Sequence, residues 1–178
     1  MRVISGKARG VPLYSLEGLE TRPTADRVKE TIFNIIQYSI GGINFLDICS
    51  GSGAMGIEAI SRGAHATFIE ASKKACTVIH NNLEKTKLSD NAAVINNDAV
   101  LALKTLNGEY SIIYIDPPYE NDFSKELLTI IEQRKLLKKE GSILLEQGAL
   151  APVIEVPGLN VYREKAFKKA KIIFYQYS

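Results

Sequence analysis

The sequence predicts an α/β domain built on a seven-stranded, mostly parallel sheet with helices on both faces. Three observations carry this expectation. Short apolar runs alternate with amphipathic, helix-length stretches between residues 43 and 145. The first run leads at once into a glycine-rich turn, Gly51-Ser52-Gly53-Ala54-Met55-Gly56. The last two apolar runs have no helix-length segment between them, which predicts an antiparallel pair at a sheet edge. Strand–helix alternation implies right-handed βαβ units, because only that hand packs the helix back onto its sheet.

The elements follow in order. Residues 1–20 mix Val3-Ile4 and Val11-Pro12-Leu13-Tyr14 with glycines at 6 and 10, the pattern of a small hairpin. In TRPTADRVKETIFNII, Pro23 bars a helix from running through Arg22, and Thr24 is a suitable N-cap. Val28, Ile32, Ile35 and Ile36 fall near helical spacing, which predicts a helix over 25–38, ended by Gly41-Gly42. Strands are then expected at 43–48, 66–69, 93–95, 111–115 and 142–145. Helices are expected at 52–61, 72–85, 99–106 and 123–137. The tail adds strands at 160–162 and 171–175. The 178 residues suit one domain, with an N-terminal hairpin and helix at 1–40 and a catalytic core at 41–178.

Composition narrows the functional classes. Net charge is only +2, but its distribution is uneven. Arg2, Lys7 and Arg9 stand among the first fifteen residues without an acid, and Arg163, Lys165, Lys168, Lys169 and Lys171 face only Glu164. Two basic ends on a near-neutral body suit an anionic partner such as nucleic acid; solvated surface segments are the plainer alternative. Cys49 and Cys76 make no disulfide framework, no Cys/His cluster has metal spacing, and no metal is expected. No apolar run approaches the ~20 residues of a membrane span, and the first ten residues lack a signal-peptide core. A cytoplasmic protein with no membrane partner is expected.

The glycine turn matches the dinucleotide fingerprint G-x-G-x-x-G and sits where such a loop must, after a strand and opening a helix. Asp47, four residues before Gly51, argues against a dinucleotide, because a carboxylate there would repel a pyrophosphate. S-adenosylmethionine carries a sulfonium and an ammonium instead. Asp47 would equally serve by pinning the loop through backbone N–H groups, which suits either cofactor. Glu70, nineteen residues after Gly51, closes the second strand where an acid can accept both ribose hydroxyls. Asp98 follows the third strand, where it can accept from an adenine amine or cap the helix at Ala99.

The fourth strand runs into Asp116-Pro117-Pro118-Tyr119. Two prolines make a stiff corner without N–H donors. What remains is an acceptor pair, the Asp116 carboxylate and the Pro117 carbonyl, beside an aromatic face. A planar exocyclic amine offers two N–H donors to such a pair while its ring stacks on Tyr119. The amine lone pair is conjugated into the ring. Holding and rotating the amine aims that lone pair at a methyl group, so direct in-line transfer is expected. Neither cysteine is placed to supply covalent catalysis.

Together LDICSGSGAMG, Glu70, Asp98 and IDPPY resemble a class I S-adenosylmethionine-dependent amino-methyltransferase with a Rossmann-like fold. MRVISGKARGVPL followed by TRPTADRVKETIFNII is more discriminating: it resembles the RsmD-type family, which methylates the N2 amine of a guanine in small-subunit ribosomal RNA. The resemblance spans essentially the whole chain. It implies S-adenosyl-L-methionine held by Asp47, Ser50, Gly51, Ser52, Gly53, Glu70, Ala71, Asp98 and Ala99. It puts Asp116, Pro117, Pro118 and Tyr119 at the target base. Thr21 and Arg22 would lie beside the cofactor, and Ser5, Lys7, Arg9 and Arg27 would face RNA, within an assembling small subunit. Three segments depart from the family pattern: Cys49-Ser50 in the loop, Glu146-Gln147 where Glu-His is more usual, and Phe167-Lys168-Lys169-Ala170 where an aromatic-Gly-x-Thr is usual. The DPPY motif alone equally suits an adenine-N6 methyltransferase. An NAD-dependent oxidoreductase leaves Asp47 and DPPY without a task, and an inactive RNA-binding module leaves both motifs intact without a use.

Overall fold

The computed structural model describes residues 1–16, 23–118 and 123–178; the side chains of Pro23, Thr24, Ala25 and Tyr38 lie outside that description. The elements are α1 (Pro23–Ile36), β1 (Asn44–Ile48), α2 (Ala54–Ser61), β2 (His65–Glu70), α3 (Lys73–Thr86), β3 (Ala92–Asn96), α4 (Ala99–Thr105), β4 (Tyr110–Ile115), α5 (Ser124–Gln133), β5 (Leu137–Gly148), β6 (Leu159–Ala166) and β7 (Ala170–Tyr177). They form one seven-stranded sheet in the order β3-β2-β1-β4-β5-β7-β6. Strands β1 to β5 are parallel, and β7 runs antiparallel between β5 and β6. The fold is the Rossmann-like α/β architecture of class I methyltransferases. Sheet order reverses between β1 and β4, and the chain segments beyond these two strands flank the crevice where such sheets bind ligands.

Alternation along each strand divides the core. One face carries Phe45, Phe68, Tyr114, Leu144 and Phe174 under α1, α2 and α3. The other carries Leu46, Ile69, Ile113, Leu145 and Ile173 under α4 and α5. Each fully buried aliphatic or aromatic side chain contributes about 1.5–3 kcal/mol, and both faces are lined with them. Gly56 shows how tight this packing is: a Cβ there would lie 2.3 Å from the Phe68 ring.

The N-terminal segment is narrower than a two-stranded ribbon. It has one antiparallel bridge, Arg2 to Pro12, with Val3 donating to Val11 O at 3.0 Å and accepting from Gly10 N at 2.8 Å. Polar groups of α2 hold it down. Glu58 is 0 % exposed and accepts from Ile4 N at 2.9 Å, Ser5 N at 3.0 Å and Arg62 Nε at 2.9 Å. Lys29 of α1 reaches Glu58 at 3.3 Å and donates to Arg2 O at 2.6 Å. Ser61 Oγ accepts from Ala8 N and donates to Ser5 O. Only glycine fits at position 6, where a Cβ would fall 1.9 Å from Ser61 O.

Several sequence-derived boundaries move. Helix α1 begins at Pro23, so Thr24 lies inside the helix and is not its cap; proline's fixed φ and missing N–H suit the first helical position. The helix ends at Ile36 and gives way to a 3-10 turn at Gln37–Ser39. Helix α2 begins at Ala54 rather than Ser52, because Gly53 takes its N-cap with φ 78°. Helix α5 ends at Gln133 rather than 137: Lys135 turns the chain at φ 54°, and Leu136-Leu137 enter the second core rather than another helical turn. Strand β5 then starts five residues earlier than residue 142, with a register shift against β4.

Candidate functional site

Each of the five parallel strands delivers a carboxyl at or just beyond its C-terminal end: Asp47, Glu70, Asp98, Asp116 and Glu146. The parallel register brings them to one edge of the sheet. Cys49, in the turn after β1, marks their convergence. Burial, then Glu70, Asp116, Asp47 and Asp98 in turn, push its thiol up to about 12. Cys49 therefore stands beside these carboxyls, and its thiol is far too weak an acid to act as a nucleophile near neutral pH.

The cofactor-side residues are tied to the glycine loop. Asp47 is 1 % exposed, and its Oδ2 accepts from Gly56 N at 3.0 Å. It supplies from a strand the capping acceptor that Gly53 lacks at the start of α2. Burial first, partly offset by the Gly56 N–H, raises its carboxyl to about 7. Glu70 bridges two backbone donors, Gly51 N at 2.8 Å and Ser72 N at 2.9 Å. Ser50 Oγ donates to Asp47 O at 2.7 Å, and Gly51 faces open space. Asp98 is exposed and its Oδ1 caps α4 through Leu101 N at 3.0 Å, with Ala99 buried behind it. Asn96 donates to the carbonyls of Glu70 and Ala71. Asn82 was not singled out in the sequence; it donates to Ser52 O at 2.9 Å and exchanges two bonds with the Tyr14 backbone, joining the N-terminal segment to the loop.

Across the crevice, Asp116 donates its backbone N–H to Ile48 O at 3.3 Å. Its side chain is open to solvent yet densely surrounded by protein, the combination a concave cleft produces. Desolvation in that cleft, then Glu146 and Asp47, raises its carboxyl well above the ordinary range. Tyr114, buried two residues earlier on the same face of β4, donates its hydroxyl to Glu146 Oε2. Burial raises the Glu146 carboxyl, and the Tyr114 hydrogen bond pulls it back down. A cavity of about 140 Å³ lies here, lined by Pro117, Pro118, Ser124, Glu146, Gln147, Gly148 and Ala151. Gln147 is 6 % exposed, and its Oε1 has no hydrogen-bond partner among the described residues. Tyr119, Thr21 and Arg22 lie outside the described residues.

The basic candidates separate. Lys7, Arg9 and Arg27 are exposed, whereas Ser5 is half-buried and spends its backbone on Glu58 and Ser61. Arg2, Arg9 and Arg27 line a groove of about 600 Å³ together with Asp26 and Glu30. The atypical Phe167–Ala170 segment is the tight turn of the β6–β7 hairpin, closed by Phe167 N donating to Ala170 O at 2.8 Å. Its exposed Lys168 and Lys169 precede Ala170, which pairs with Gly148 of the cavity wall.

The chain has close counterparts in sequence and fold. A family model described as Conserved hypothetical protein 95 matches residues 1–176, from the pinned N-terminal segment through β7. The chain belongs to this family. A relative described as ribosomal RNA small subunit methyltransferase D, from Escherichia coli, is 33 % identical over 99 % of this chain and 89 % of its own length. A Bacillus subtilis relative, YlbH, described as a candidate rRNA methyltransferase, is 38 % identical over 99 % of this chain and 98 % of its own. The solved structure of yhhF, a candidate methyltransferase from Escherichia coli, superposes with a TM-score of 0.90 at 34 % identity and covers the whole chain and 98 % of that structure. The match to the RsmD-type family takes in the N-terminal segment as well as the sheet. Among the described residues no helix is long and apolar enough to cross a membrane, and no group of three or more His, Cys, Asp or Glu is arranged to hold a metal ion.

Proposed function

We propose that the protein transfers a methyl group from S-adenosyl-L-methionine to the N2 amine of a guanine in small-subunit ribosomal RNA. The observation that carries this reading is the row of carboxyls at the sheet edge, with Asp116-Pro117-Pro118 at its open end. Such a donor set fits a cofactor that presents a sulfonium, an ammonium and a ribose diol. It opposes a pyrophosphate. Glu70 keeps lone pairs for the two ribose hydroxyls beyond its bonds to Gly51 and Ser72. Asp98 keeps its second oxygen for the adenine amine, and the space before Gly51 admits the methionine portion.

Bound S-adenosylmethionine supplies an electrophilic methyl group. The chain's own work is on the amine. Asp116 and the Pro117 carbonyl accept its two N–H groups, lift the lone pair out of conjugation and aim it along the transfer axis. Asp116 then takes the proton that the methylated nitrogen loses, and its raised pKa suits that task. Positioning of this kind needs no covalent enzyme intermediate.

The names of both relatives support ribosomal RNA as substrate, and that of the Escherichia coli relative supports the small subunit. Lys7, Arg9, Arg27 and the Lys168-Lys169 turn provide exposed positive charge for its phosphates. Labelled methyl transfer to undermodified small subunits, followed by nucleoside analysis, tests the reading. N2-methylguanosine is expected; N6-methyladenosine would overturn it.

A further inference from the structure

We propose that Glu146, at the end of β5, selects guanine by accepting its N1–H, with Tyr114 holding the carboxylate in place. This rests on the guanine-N2 reading above and adds the residue that tells the base from adenine.

The argument starts from the amine-binding pair. Asp116 and the Pro117 carbonyl take any planar exocyclic amine, so they accept guanine N2 and adenine N6 alike. Selection must come from the ring atom beside the amine. In guanine that atom is N1–H, a donor; in adenine it is N1, an acceptor. The wall next to Asp116 therefore decides. Residue pairing of β4 with β5 runs through Ile115 and Leu145, so Asp116 and Glu146 follow as neighbours on adjacent strands. Glu146 lines the 140 Å³ cavity together with Pro117 and Pro118. That volume suits one purine ring system.

One carboxylate oxygen of Glu146 is engaged by the Tyr114 hydroxyl. The other, Oε1, has no protein partner among the described residues. A carboxylate that receives a hydrogen bond on one oxygen is fixed in orientation and stays an acceptor on the other. Gln147 also lines this cavity, and its buried Oε1 has no partner among the described residues. An acceptor that faces the cavity without a protein donor is available to a ligand N–H. Guanine brings three contiguous N–H bonds along N1 and N2. Adenine would set its N1 lone pair against the Glu146 carboxylate, an arrangement with repulsion and no hydrogen bond.

The test separates ring-atom recognition from amine recognition. 2-Aminopurine keeps the N2 amine of guanine but has an acceptor at N1. Small subunits are reconstituted with RNA carrying guanine or 2-aminopurine at the methylated position, and kcat/KM is measured for both. The wild-type protein should prefer guanine by about 10–100-fold, the size of one hydrogen bond to a charged group. Glu146→Gln offers an amide donor to N1, so this ratio should fall at least about tenfold while cofactor affinity stays within a few-fold. Tyr114→Phe should lower the ratio in the same direction, and it decides the matter if Glu146→Gln proves inactive. A guanine preference that both variants retain overturns the role of Glu146 and leaves the guanine-N2 reading intact. Methylation of adenine N6 by the wild-type protein overturns both.

Discussion

Glu70 Oε2 accepts the Gly51 N–H at 2.8 Å, a bond spanning nineteen residues that locks the end of β2 to the loop opening α2. The residue expected to hold the ribose thus also shapes the loop that receives the rest of the cofactor. Glu70→Ala should weaken S-adenosylmethionine binding by about 10–100-fold, the loss of hydrogen bonds to a charged acceptor. Glu70→Gln, which keeps one acceptor oxygen, should lose less. Titration calorimetry with the purified protein measures both, and equal affinity for all three proteins would remove Glu70 from the site.

Asp116 separates chemistry from cofactor binding. It stands across the crevice from the loop, so Asp116→Ala should lower the methyl-transfer rate by about 100-fold or more. S-adenosylmethionine affinity should change only a few-fold. Single-turnover transfer to small subunits, paired with cofactor titration, checks the split. Parallel losses in both would make Asp116 a structural residue of the β4 corner.

How much of this was readable beforehand depended on whether the signal was local. The strand–helix alternation, the glycine loop and the Asp-Pro-Pro corner were legible because each is written in consecutive residues. Glu146 as a site residue was not. It reaches the cleft only through the β4–β5 register, which no local pattern encodes. Asn82 is hidden for the same reason, since its partners Tyr14 and Ser52 lie 68 and 30 residues away. The end of α5 was missed because Leu136 and Leu137 continue an apolar pattern, while the turn at Lys135 uses neither glycine nor proline. The β6 strand was cut short because an exposed edge such as LNVYREKA shows little apolar alternation.

Asp47 gives the fold a pH dependence whose sign is fixed by burial. Its carboxyl is raised from 3.8 to about 7. The folded protein keeps a proton that the unfolded chain has already released above pH ~4. The stabilisation is fully present below the unfolded pKa and is lost as pH rises towards 7, by an amount on the order of 4 kcal/mol at 1.36 kcal/mol per pKa unit. Asp47→Asn keeps an oxygen for the Gly56 N–H and does not ionise. Urea unfolding at pH 5 and pH 8 should show a smaller stability loss between the two for the variant. An identical loss would place the titrating group elsewhere.

Glu58 should be a strong determinant of stability without touching chemistry. Its removal strands Lys29, which is 1 % exposed, and the backbone donors of Ile4 and Ser5. Breaking a buried pair by deleting one partner costs about 3–5 kcal/mol. Glu58→Ala should lower the thermal midpoint and open the first sixteen residues to proteolysis before the core unfolds. A midpoint unchanged from the wild type would show that the N-terminal segment is held by its apolar contacts, Val3 and Leu13, alone.

Two basic sites make distinguishable claims on RNA. Lys7 and Arg9 project from the pinned N-terminal segment, and Lys168 and Lys169 from the β6–β7 turn. Each phosphate contact removed should flatten the slope of log K against log salt by about 0.7–0.9. Lys7→Ala with Arg9→Ala, and separately Lys168→Ala with Lys169→Ala, should each reduce that slope by up to about 1.8 while leaving cofactor affinity alone. The pair in the β6–β7 turn should also lower the transfer rate at saturating RNA, because that turn lies next to the strand residues that line the cavity. Filter binding across a salt series and single-turnover transfer measure the two effects. An unchanged slope for either pair would remove that surface from the RNA path.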